Sequence, residues 1–125
     1  MIFINKIDAP TVLLVDADFD QSLASKSELE AQGYRVVCAY SGEEAFTTFA
    51  REKIDAIVVD AMLPDMHVLD FVDEIAATRS RNTSIIINNT YPGYKQNFRY
   101  WAADAVVDNV FDSRRELSGL VAALR

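Results

Sequence analysis

The residues in this chain best placed to do chemistry are carboxylates and amides at the ends of short apolar runs. Asp60 closes such a run in Asp55-Ala-Ile-Val-Val-Asp60-Ala-Met-Leu-Pro64. The apolar part, residues 56–59, is short, rich in β-branched side chains and bounded by polar residues and proline, which reads as a strand buried on both faces. Asp16-Ala17-Asp18 closes an earlier run of the same kind, and Asn88-Asn89-Thr90 closes a later one. Open α/β sheets bind their ligands outside the carboxyl ends of the strands, so three polar strand ends define one site. Other chemistries lack their parts. No G-x-G-x-x-G or P-loop follows the first run, so nothing cradles a dinucleotide or a nucleoside triphosphate. His67, the single histidine, has only Asp65 as a nearby polar partner and reads as an exposed loop residue. Cys38, the single cysteine, reads as a small buried hydrophobe without an internal disulfide partner.

The elements that must position these strand ends alternate regularly. Strands are predicted at 12–15, 34–39, 56–59, 84–87 and 105–107. Helices are predicted between them and at the end, over 113–124. Asp18 or Asp20 can cap the first helix, with Leu23, Leu29 and Ala31 turned inward and Gly33 as the residue that ends it. Ser41 and Glu44 have capping-box spacing at the start of the second, whose apolar face is Ala45, Phe46 and Phe49. The third carries Leu69, Phe71, Val72 and Ile75 at helical spacings. Strands separated by helices imply a parallel sheet with right-handed crossovers and helices on both faces, a doubly wound α/β fold.

At 125 residues this is one domain, expected over 11–125 with residues 1–10 as an N-terminal extension. A formal net charge of −7 argues against nucleic acid as a direct partner. No apolar run approaches the roughly 20 residues of a membrane span. The first residues lack the basic start and cleavage site of a signal peptide, so a cytoplasmic protein without membrane partners is expected.

Over residues 11–125 the sequence resembles a response-regulator receiver domain, the phosphoacceptor module of two-component signalling. The segments in register are Val12-Leu-Leu-Val-Asp16, Gly33-Tyr34-Arg-Val36 with Ser41-Gly42-Glu-Glu44-Ala45, the run from Asp55 to Pro64, and Trp101-Ala-Ala103-Asp104-Ala105. The resemblance implies a five-stranded sheet of order 2-1-3-4-5, the flavodoxin-like order. A flavodoxin itself is disfavoured, because Asp16-Ala-Asp-Phe-Asp20 would repel a flavin phosphate. By position the phosphoacceptor is Asp60, and Asp16, Asp60 and the backbone carbonyl of Met62 would hold Mg²⁺. The pattern departs elsewhere. Ala17 stands where the family has a second carboxylate, which weakens the metal site. The switch positions are Asn89 for a Thr or Ser, Val106 for an aromatic residue and Asn109 for a lysine.

Phosphoryl transfer depends on positioned charge around the equatorial oxygens, and losing one preorganised donor typically costs on the order of 10²–10³ in rate. The leading expectation is therefore a non-enzymatic, atypical receiver that acts through protein–protein interaction. The alternative is a conventional receiver phosphorylated on Asp60 by a histidine kinase.

Five aromatic residues crowd between 91 and 101. Tyr94, Phe98 and Trp101 share one helical face, which leaves Tyr100 and Tyr91 as a partner surface, with a homodimer through residues 94–124 as one form it could take. Tyr100→Ala is expected to weaken association without lowering the melting temperature. Sedimentation velocity and a thermal melt check this, and association that survives unchanged would refute the surface.

Overall fold

The computed structural model describes residues 9–78, 83–89 and 105–108. Within them, strands β1 (Thr11–Val15), β2 (Arg35–Ala39), β3 (Ala56–Asp60), β4 (Ser84–Asn89) and β5 (Ala105–Asp108) form one sheet in the order β2-β1-β3-β4-β5. Every pairing is parallel. The helices are α1 (Phe19–Ala31), α2 (Gly42–Arg51) and α3 (Val68–Thr78). The predicted sheet order is the observed one. The expected elements at 1–8, 91–101 and 113–124 lie outside the described residues, together with Thr90, Tyr91, Tyr94, Phe98, Tyr100, Trp101 and Asn109.

β1 and β3 are buried at all ten positions, as interior strands of a parallel sheet must be. Alternation along them sends side chains to two separate cores. Leu13, Val15, Ile57, Val59, Ile85 and Ile87 pack with Ala45 of α2 and with Val68, Phe71, Val72 and Ile75 of α3. Val12, Leu14, Val58 and Ile86 pack on the opposite face with Leu29 of α1. Helices therefore cover both faces. Between α2 and α3 the rings of Phe46 and Phe71 stack with centroids 5.1 Å apart.

Two helix faces differ from the sequence reading. On α1 the inward residues are Ser22 and Leu29, while Leu23 is 46% exposed and Ala31 is exposed too. The polar Ser22 faces in because its hydroxyl donates to the Asp16 carbonyl at 3.4 Å, and apolar periodicity cannot reveal such a bond. On α3 Phe71, Val72 and Ile75 are buried as expected, but the stripe begins at Val68, three residues before Phe71, and Leu69 is only half-buried.

The helix ends follow their chemistry. Asp18 caps α1 by accepting from the Gln21 amide at 3.1 Å. Its C-terminus is a Schellman motif, with Gly33 N–H donating to Glu30 and Tyr34 N–H to Leu29. Tyr34 and Leu29 then share a core cluster. Gly33 has φ +96°, and a Cβ there would meet no atom within 4 Å, so the demand for glycine is purely backbone. Gly33→Ala should lower stability by about 1 kcal/mol. Urea unfolding would show this as a shifted midpoint with an unchanged slope, and an unmoved midpoint would contradict it.

Candidate functional site

The C-terminal edge of the sheet gathers the chemistry. β1 ends at Val15, so Asp16 follows directly, and Asp60 is the last residue of β3. In register, Val15 pairs with Val59 and Asp60 pairs with Asn88. Paired residues of parallel strands point to the same face, so Asp60 and Asn88 both lie on the α1 side of the sheet. They line one cleft with Asp16, Ser22, Ser25, Leu14, Val15 and Val58. Asp60 is only 8% exposed.

Hydrogen bonds orient the acids. Asp16 Oδ1 accepts from the Asp18 amide at 2.9 Å, and Asp60 Oδ1 accepts from the Met62 amide at 3.2 Å. The Asp16 and Asp60 carboxyl groups open onto the same cleft. Burial pushes the Asp16 carboxyl above its usual range, against the lowering effect of the Asp18 amide and the Asp60 side chain. Ala17, between Asp16 and the helix cap, is exposed and supplies no ligand atom. Asp18 spends its carboxylate on capping, so it does not replace one at position 17.

The loop after β3 is held by α2. Asp65 accepts from the amides of Gly42 at 2.9 Å and Glu43 at 3.0 Å, the first two of the helix, while Ser41 Oγ accepts from the third, Glu44. The return bond of a capping box is shifted by one residue, because the Glu44 carboxylate takes the Tyr40 amide at 3.4 Å instead of that of Ser41. Met66 lies over Gly42, where an added Cβ would come within 2.6 Å of its sulfur. Further along, Met62 and His67 pair in a single antiparallel bridge. His67 is exposed, and its Nδ1 accepts from the Leu69 amide at 3.1 Å, which serves the start of α3.

The sequence-predicted positions separate accordingly. Asp16 and Asp60 are brought together, with Met62 adjacent. Asn89 ends β4 beside Asp108, and Val106 pairs with Ile87 in β5. Sequence reasoning did not single out Asn88, although continuing the alternation of β4 from Ile86 would have placed it on the face of Asp60. Its Oδ1 is buried without a hydrogen-bond partner. Among the described residues no three His, Cys, Asp or Glu side chains converge as a metal cluster. Cys38 is half-buried against the α1-side core, and burial raises its thiol above the usual range, which disfavours a reactive thiolate.

A parallel sheet of this order, with acids at the ends of its first and third strands, is the architecture of a phosphoacceptor signalling module. The profile of the response regulator receiver domain matches residues 12–109, and the chain belongs to that family. The crystal structure of the response regulator TrrA from Thermotoga maritima, in complex with Mg²⁺ and BeF, is similar at a TM-score of 0.84 and 29% identity, covering 93% of this chain and 99% of that one. A receiver domain from Methylobacillus flagellatus has a TM-score of 0.82 at 18% identity, over 94% and 100% of the two chains, a likeness of fold alone. The transcriptional regulatory protein PrrA of Mycobacterium bovis is 33% identical over 79 residues, 63% of this chain and 33% of PrrA. CrdR of Helicobacter pylori is 31% identical over 64 residues, 51% of this chain and 30% of CrdR. The matches thus span about a third of the length of these curated relatives. Receiver domains are signalling domains rather than enzymes. No helix among the described residues is long and apolar enough to cross a membrane.

The family's Mg²⁺ can be tested against these residues. Mg²⁺ takes oxygen ligands, usually one or two carboxylates with the remainder from carbonyls and water. Asp16 and Asp60 would supply the carboxylates, and Asn88 Oδ1, buried without a hydrogen-bond partner, would add a neutral oxygen on the same side. The residues fit a hard cation.

Asp65→Ala should cost about 1 kcal/mol through the lost helix cap. The two backbone amides, that of Glu43 first, hold the Asp65 carboxyl below its ordinary value. Its contribution is therefore present above the unfolded-state value and disappears as pH falls through the folded-state one. Urea midpoints of the two proteins should differ at neutral pH and converge in acid. A difference that persists in acid would contradict the capping role.

Proposed function

We propose that this receiver signals by binding a protein partner and is not switched by phosphorylation of Asp60. The observation that carries this reading is the exposed Ala17 beside Asp16 and Asp60, which line one cleft. One of the family's carboxylates is missing from the site, which leaves two. The Asn residues at 89 and 109 support it, since neutral amides cannot balance phosphoryl charge as a lysine does.

The surface around the site suits protein contact. Phe19, Leu23 and Met62 are the large hydrophobic side chains exposed among the described residues, at 57%, 46% and 40%. Phe19 and Met62 follow the C-terminal ends of β1 and β3, and Phe19 rests against the Tyr40 ring, with centroids 5.8 Å apart. Acidic side chains at Asp18, Asp20, Glu43, Glu44 and Asp65 share this edge, so an apolar partner face with a basic rim matches it. A cytoplasmic signalling protein, including a histidine kinase, fits that description, and the partner surface expected at Tyr91 and Tyr100 lies outside the described residues.

One observation favours phosphorylation instead. Asp60 and Pro64 are retained, and TrrA, 29% identical, binds Mg²⁺ and BeF. Intact-mass spectrometry after incubation with acetyl phosphate and Mg²⁺ separates the readings, with Asp60→Asn as control. No adduct is expected under conditions that label an ordinary receiver. An adduct that the control lacks would overturn binding-only signalling.

A further inference from the structure

We propose that the cleft between β1, β3, β4 and α1 receives the ammonium head of a lysine carried by the protein partner. Oxygens of Asp16, Asp60 and the Asn88 side-chain amide hold it. The proposal rests on the reading of this receiver as a partner-binding module and names the group by which the partner is recognised.

Asn88 gives the first sign. It is 7% exposed, it lines the cleft, and its Oδ1 is buried without a donor. Asp60 and Asn88 are register partners on β3 and β4, so their side chains leave neighbouring strands toward the same helix. Asp16 lines the cleft with them. Asp16 accepts from the Asp18 amide and Asp60 from the Met62 amide, and a carboxylate has about four acceptor positions, so both retain capacity. The Ser22 hydroxyl of α1 is directed at the Asp16 carbonyl and does not serve Asn88. Among the described residues no lysine or arginine lines the cleft, so no side chain there supplies a cation to the two acids.

Size, charge and hydrogen count select the occupant. The cavity measures about 10 Å³, room for the centre of one water-sized particle. A water brings two hydrogens and no charge. A guanidinium is a flat fork of five N–H groups and exceeds that space. An ammonium is compact and positive, and it points three N–H groups away from its stem, one for each of the three side chains. A hard metal ion would use the same oxygens but fills its shell with water, whereas an ammonium is complete with three acceptors. The surroundings favour a lysine on a protein over a free amine. Phe19 and Met62 follow the ends of the two strands that lead into the acids, and both are exposed, so residues flanking the lysine find apolar ground. A methylene stem gains from the same surroundings. Asp18, Asp20 and Asp65, exposed along this edge, suit a partner face of positive charge.

The test uses the full chain, labelled with ¹⁵N and freed of metal with a chelator. It is titrated with n-butylammonium chloride, which is the lysine side chain alone, and with the peptide acetyl-Gly-Leu-Lys-Leu-Gly-amide. The readout is the backbone amide signal of Asp60, together with the side-chain amide signal that Asn88→Leu lacks. Both probes should shift these signals saturably, and the peptide should bind several-fold more tightly. Acetylating the peptide's lysine should weaken binding by roughly tenfold or more. Asn88→Leu, similar in volume but without the oxygen, should weaken both probes by about tenfold. Phe19→Ala should remove the peptide's advantage over the free amine. No saturable shift with either probe would overturn the site, as would equal binding of the acetylated peptide. Equal affinity of Asn88→Leu and wild type would overturn the role of Asn88. Asp16→Asn replaces that variant should it fail to fold, and unchanged affinity there would likewise overturn the site. Equal affinity for the two probes would assign the cleft to a free amine and overturn the partner's lysine. Acetyl phosphate labelling and amine titration read different groups, so failure of binding-only signalling and failure of the ammonium site give different results.

Discussion

The register of β3 between β1 and β4 is the constraint on which the site depends. All five β3 residues are buried, and a slip of one residue would exchange the two cores that its side chains feed. The same register that packs Val58 with α1 and Val59 with α2 and α3 sends Asp60 toward Asp16 and Asn88. Core packing and site geometry are thus one decision. Moving Asp60 to the other face would require unpacking Ile57, Val58 and Val59 together, at several kcal/mol of buried apolar surface.

Negative charge at this edge is managed mainly by backbone amides. Asp16 accepts from Asp18 N–H, Asp18 from Gln21 N–H, Asp60 from Met62 N–H, and Asp65 from two amides of α2. Backbone N–H groups at turns and helix starts carry partial positive charge, so they stabilise carboxylates without supplying a mobile cation. This explains how a chain of net charge −7 keeps so many acids together.

Much of the fold was legible because its signals are local. Buried strands announce themselves as short β-branched runs, and the helix ends at Asp18, Ser41 and Gly33 are set by neighbouring atoms. The misread faces have a common cause. Leu23 is outward and Ser22 inward because a single hydroxyl bond to the Asp16 carbonyl and the nearby cleft reward a small polar residue there. Hydrophobic periodicity assigns both the other way. Asn88 was read only as part of a polar strand end, and not as the residue facing Asp60, for a related reason. Three consecutive polar residues end β4, and which of them meets Asp60 depends on the register between strands some thirty positions apart.

The sequence by itself determined the parallel α/β order, the family and the acids retained or lost at its strand ends, since each is written in local pattern and residue type. Only the tertiary structure decided that Asp16 and Asp60 line one cleft, that Asn88 joins them there with an unpartnered oxygen, and that Asp65 fastens the following loop to α2. Those outcomes rest on side-chain direction across strands and on which backbone amides remain unpaired after the chain has packed.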